Sequence, residues 1–117
     1  MAEQTTLGRI EISPLAISTI ASESVLECYG VVGMAGKSLM GGLAQLLRPE
    51  RARRGVDVQV ADGRIIVDLY VIVEYGTRVS EVAHGIMNRV KYRLEQALGV
   101  PVAEVNVHVQ GLRVSEE

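Results

Sequence analysis

The chain has 117 residues, enough for one domain, and its net charge of −2 gives no global reason to bind nucleic acid or an anionic membrane. Hydrophobic residues make up 48%, yet Trp and Phe are absent and Tyr occurs four times, so the core rests on Val, Ile, Leu and Ala and stacking platforms for bases are not expected. One cysteine, Cys28, excludes an internal disulfide and fits a reducing compartment, and no apolar run approaches the ~20 residues that span a bilayer.

Residues 1–6 are polar and expected to be flexible, as are 115–117, with no secretory signal; residues 7–114 are expected to form the single domain. Leu7 to Ile12 alternates as a short strand. Ser13-Pro14 then starts a helix, Ser as N-cap and Pro at the first helical position. Ile17, Ile20, Ala21, Val25 and Cys28 follow at helical spacing, with Ser18, Ser22, Glu23 and Glu27 on the other face and an end near Tyr29-Gly30.

Gly30 to Gly42 carries five glycines among apolar residues. Val31–Ala35 reads as extended, and a short helix is expected over roughly Ser38–Leu47, weakened at Gly41-Gly42 by about 1 kcal/mol per Gly relative to Ala. The basic loop Arg48–Gly55 comes next.

Val56 to Val60 alternates strictly, and Asp62-Gly63 signals a two-residue hairpin. That turn puts Val60 opposite Ile65, Val58 opposite Val67 and Val56 opposite Leu69, all apolar on one face. A long helix follows from near Ser80 to Leu98 with Val79, Ala83, Ile86, Val90, Leu94 and Ala97 in one stripe. Gly99 and Pro101 stop it, and Ala103–Gln110 is the last strand. Strand, helix, strand in this order predicts a parallel crossover, hence an α+β two-layer sandwich: a mixed β-sheet with helices packed on one face.

Four constellations carry the candidate chemistry. Gly33-Met34-Ala35-Gly36-Lys37-Ser38 approaches a phosphate loop, but the required spacing puts a glycine at Val31, so no nucleotide site is expected. The same glycine-rich segment, through Val31, Val32, Met34, Lys37, Leu39 and Met40, suits docking of a partner, against the plainer alternative of a loop closing onto the short helix. Arg48, Arg51, Arg53 and Arg54 could meet an acidic partner, a lipid headgroup or RNA, or simply be solvated beside a helix end.

The fourth is the second sheet face, where Asp57 falls opposite Asp68 and Tyr70, Asn106, His108 and Gln110 point the same way. It is either an assembly surface, with an arginine such as Arg9, Arg64 or a partner's offsetting the aspartates, or an open wet face. A metal held by Asp57, Asp68 and His108 is its sharper version. No catalytic set emerges: His84 lies opposite the apolar stripe, and Cys28 reads as a buried thiol.

The pieces Gly8-Arg9-Ile10-Glu11-Ile12-Ser13-Pro14, Gly30–Leu47 with Gly41-Gly42-Leu43, Asp68–Gly76 and Asn106-Val107-His108-Val109-Gln110-Gly111 occur in a telling order and spacing. In them the chain resembles the alkaline-shock/Gls-type envelope stress response family of bacteria, over roughly Gly8 to Val114. The resemblance implies a small cytoplasmic protein without catalysis, cofactor or metal. It further implies a role in envelope homeostasis and stress, through self-association and a protein partner such as an integral-membrane anchor at the inner face of the membrane. The alternative function is a small RNA-binding module using the Arg48–Arg54 loop; DNA is not expected as a partner.

Overall fold

The computed structural model describes residues 2–34 and 55–114. In chain order the elements are β1 (Ala2–Gln4), β2 (Arg9–Glu11), α1 (Pro14–Leu26), β3 (Val31–Met34), β4 (Val56–Ala61), β5 (Arg64–Glu74), α2 (Val79–Leu98) and β6 (Glu104–Arg113). The architecture is α+β, with α1 and α2 packed against a mixed sheet.

Strand β5 is the sheet's spine. β4 pairs antiparallel with its first half and β3 antiparallel with Val71–Val73, while β6 runs parallel along Ile66–Glu74. Because β6 spans both stretches and a strand has two edges, β3 and β4 share the opposite edge, end to end. The hairpin register is the expected one, with Val56↔Leu69, Val58↔Val67 and Val60↔Ile65. Asp62 at φ 53 and Gly63 at φ 73 form its turn, both left-handed as a tight hairpin requires. At Val71–Val73 the ladder is irregular on both sides: β3 carries the extra residue Val32, and β6 the extra residue Gln110.

The core lies between sheet and helices. Val56, Val58, Ile65, Val67, Leu69, Val71 and Val73 meet Ile17, Ala21 and Val25 of α1 and Val82, Ile86, Val90 and Leu94 of α2. Burying each such aliphatic side chain is worth about 1.5–3 kcal/mol. The stripe of α2 is shifted from the expected one: Val82 is buried, Val79 and Ala83 are half-buried, and Ala97 is exposed. The helix begins at Val79, and Gly99 at φ 75 ends it, its N–H donating to the Glu95 carbonyl.

Helix α1 departs further from its amphipathic reading. Ser13 caps it, accepting from the Ala16 N–H at 3.1 Å, but Ser18, Ser22 and Ser24 are buried. Each hydroxyl donates back to a carbonyl one turn earlier, to Leu15, Thr19 and Ile20 respectively. A serine satisfied within its own helix hides its polarity, and its small volume lets α1 pack against α2 and the sheet together. The helix ends at Leu26 with Glu27 as C-cap, three residues before the expected stop.

Gly30 holds the next turn. Its φ is +89, and a Cβ there would come within 2.9 Å of Val82 Cγ2, so the turn between α1 and β3 lies directly on α2. At the start of the chain, Ala2–Gln4 forms a strand rather than a frayed end, pairing with Arg9–Glu11 in a separate two-stranded sheet. The turn is held by Thr5, whose hydroxyl oxygen accepts from the N–H groups of Leu7 and Gly8.

Candidate functional site

The sheet face turned away from α1 and α2 takes the even-numbered residues of β5: Arg64, Ile66, Asp68, Tyr70, Ile72 and Glu74. Asp57 pairs with Asp68 across β4–β5, and Asn106 and His108 pair with Asp68 and Tyr70 across β5–β6. Five of the six expected face residues therefore meet on one surface. The sixth, Gln110, occupies the β6 bulge and is exposed, so it leaves the ladder.

Three of them form one unit. The rings of Tyr70 and His108 stack with centroids 4.7 Å apart and planes 14° from parallel. His108 Nε2 lies 2.9 Å from Asp68 Oδ1. Tyr70 is 8% exposed, although it sits on the face away from the described helices. Its phenol is held above its ordinary pKa, first by burial and then by the charges of Asp68 and Asp57. It therefore stays a neutral donor and acceptor.

Neither expected arginine serves the aspartates. Arg9 pairs with Glu11 at 2.6 Å and Arg64 with Glu104 at 3.6 Å. The group on Asp68 is the imidazole of His108 instead, because the parallel ladder puts it one step along on the neighbouring strand. Among the described residues no three His, Cys, Asp or Glu side chains converge as metal ligands. What remains is a surface of fixed, directional hydrogen-bonding groups flanked by Ile66 and Ile72, both half-buried.

Of the expected docking residues, Val31, Val32 and Met34 form β3 and are half-buried, with Val31 and Met34 packed on the core. Lys37, Leu39, Met40, Arg48, Arg51, Arg53 and Arg54, with the expected helix over Ser38–Leu47, lie outside the described residues.

One polar cluster escaped the sequence pattern. Glu27 Oε1 accepts from Arg89 Nη2 at 2.8 Å and from Arg93 Nη1 at 3.0 Å. The Arg89 hydrogen bond, joined by the charge of Arg93, holds the Glu27 carboxyl below its ordinary range. Glu27 caps the C-terminus of α1, where the helix dipole disfavours a negative charge, and the two arginines offset that. The only trace in the sequence was Arg89 and Arg93 four residues apart on one helix; their partner is 62 and 66 residues away, respectively.

Among the described residues no helix is long and apolar enough to cross a membrane. A model of the alkaline-shock protein 23 family, of cell envelope-related function, matches residues 2–114. An uncharacterised Bacillus subtilis (strain 168) protein, YloU, is 44% identical over 113 residues, covering 96% of this chain and 94% of its own length. An uncharacterised Streptococcus pyogenes serotype M6 protein, Spy1614, is 43% identical over 111 residues, covering 94% and 92%. A stress response regulator gls24 homolog of Streptococcus pyogenes serotype M3 is 26% identical over 110 residues, 94% of this chain and 62% of that protein. No solved structure matches the chain.

Proposed function

This chain belongs to the alkaline-shock protein 23 family, which has a cell envelope-related function, and on that footing we propose that it is a non-enzymatic envelope-stress protein working through protein–protein assembly. The gls24 homologs among its relatives carry the name of stress response regulators, which supports the stress side of the reading. Its own copies associate, and a separate integral-membrane protein holds it at the inner face of the membrane.

The observation that carries the assembly reading is the Asp68–His108–Tyr70 unit. A carboxylate and an imidazole are held by their hydrogen bond and by the stacked ring of the buried Tyr70, on a face that no described helix covers. Because these side chains hold one another, little conformational entropy is lost when a partner's polar groups meet them. Among the described residues no nucleophile is hydrogen-bonded to them, which favours recognition over turnover. Beside it, the outer edge of β6 pairs with no described strand and offers backbone groups to a neighbour.

The test is to express a tagged form in its native cells, separate membrane from soluble fractions, and identify what co-purifies. Light scattering on the purified protein then reads self-association. Recovery with an integral-membrane protein, and a mass above one copy that falls in Asp68→Asn and His108→Ala, is the expected result. A monomer at every concentration with no protein partner sinks the reading. Recovery with RNA, lost steeply with salt, would move the function to Arg48–Arg54.

A further inference from the structure

A second surface lies on the helical side of the molecule. An open cleft of about 620 Å³ is bounded by the end of α1, the turn after β5 and the first three turns of α2. That volume falls in the range of small-ligand and short-segment sites, roughly 300–1,000 Å³.

Its floor is unusual. Gly85 lines the cleft from the middle of α2, where a glycine costs about 1 kcal/mol relative to alanine. Among the described residues nothing calls for it: its φ is not positive, and a Cβ built there meets no atom within 4 Å. Gly30, in the turn that lies on the same helix, is the contrasting case, since its Cβ would strike Val82. The missing side chain at Gly85 therefore leaves the cleft floor open and exposes helix backbone there.

The walls carry Arg78 and Arg89 against Glu27 and Glu81, and Arg93, just outside the lining, adds a third guanidinium through Glu27. Arg78 Nη1 lies 3.1 Å from Glu81 Oε2, and Glu27 receives both Arg89 and the adjoining Arg93 through one oxygen. Three guanidinium groups thus meet two carboxylates. Each guanidinium carries five N–H donors in a planar fork suited to two-point binding of a carboxylate. Here each is engaged by a single described hydrogen bond, which leaves the forks open to a further anion. Tyr29 stands at the rim, 85% exposed. Exposed tyrosine beside arginine is the side-chain chemistry of protein interfaces more than of small-anion sites.

We propose that this cleft docks an acidic segment of a protein partner, its backbone lying over Gly85 and a carboxylate received by Arg78 and Arg89. This deepens the assembly reading above and rests on it.

The test uses the isotope-labelled full chain, titrated with a capped hexaglutamate peptide while backbone amide shifts are followed. Inorganic phosphate at matched ionic strength and a hexalysine peptide are run alongside. Hexaglutamate is expected to give saturable shifts at Tyr29, Thr77, Gly85 and Arg89, and the other two probes none there. Gly85→Leu starts from a Cβ that meets no described atom, circular dichroism checks that the variant is folded, and the folded variant is expected to bind at least about tenfold more weakly. Arg78→Glu abolishes it. The proposal is overturned if the cleft amides do not shift, if phosphate reproduces the shifts, or if Gly85→Leu binds as before. Any of these leaves the light-scattering and co-purification results untouched, so the wider assembly reading stands or falls separately.

Discussion

His108 reaches diagonally across the parallel ladder to Asp68, Nε2 to Oδ1 at 2.9 Å, although its own register partner is Tyr70, on whose ring it stacks. One imidazole thus ties two successive outward-facing residues of β5 to β6. The pair sits beside the Asp57–Asp68 juxtaposition, where like charges on facing strands are unfavourable. A group that draws on the Asp68 charge relieves it.

Replacing His108 with Ala removes both the ring stack and the hydrogen bond, each worth about 1 kcal/mol. The expected loss is about 1–2 kcal/mol in urea unfolding. His108→Phe, which keeps a ring but no hydrogen bond, should recover part of it. Equal loss in the two variants would show that the stack contributes nothing.

Glu27 has a folded pKa lowered from its ordinary value of 4.5, chiefly by the hydrogen bond from Arg89. A lowered carboxyl contributes stability that is present above the unfolded pKa and is lost as pH falls through the folded one. Glu27→Gln should therefore unfold at lower urea than the parent at about pH 7. The two midpoints should converge as the pH drops below 4.5 and through the folded value. A gap that persists in acid would mean the interaction is not one of charge.

Gly30 and Gly85 should respond with opposite signs to the same substitution. Gly30→Ala forces a Cβ at φ +89 to within 2.9 Å of Val82 Cγ2, and is expected to cost about 1–3 kcal/mol. Gly85→Ala meets open space in a helix and is expected to gain up to about 1 kcal/mol. Thermal unfolding of the two single variants reads both directly; a loss at Gly85 would mean that the helix needs its glycine.

Cys28 is half-buried, and burial pushes its thiol above the ordinary range. The thiolate is the reactive form, so alkylation by iodoacetamide at about pH 7 should run more slowly than for a free cysteine of ordinary pKa. It should speed up to the free rate in denaturant. Fast alkylation of the folded chain would make Cys28 a candidate reactive group and not a packing residue.

The hairpin and the crossover were legible because their information is local. Strict alternation in Val56–Val60, the Asp62-Gly63 turn and the apolar stripe of α2 each specify an element from neighbours in sequence. The parallel β5–β6 pairing followed from the connection between them. These also brought Asp57, Asp68, Tyr70, Asn106 and His108 onto one face, because alternation with period two carries every side chain along with the register.

Other features depend on contacts between distant segments and had no local signature. The bulge that removes Gln110 from the ladder is a mismatch between two strands, invisible in either alone. Ser18 and Ser22, read as part of a polar face, are buried in α1, since a hydroxyl can satisfy itself on its own helix once two neighbouring layers close over it. Arg64 pairs with Glu104 and leaves Asp68 to His108, a choice made by which strand ends lie side by side. The Glu27–Arg89–Arg93 cluster and the cleft over Gly85 exist only because α1 ends against α2. Periodicity assigns a residue to a face; which groups meet across two faces is set by how the elements pack.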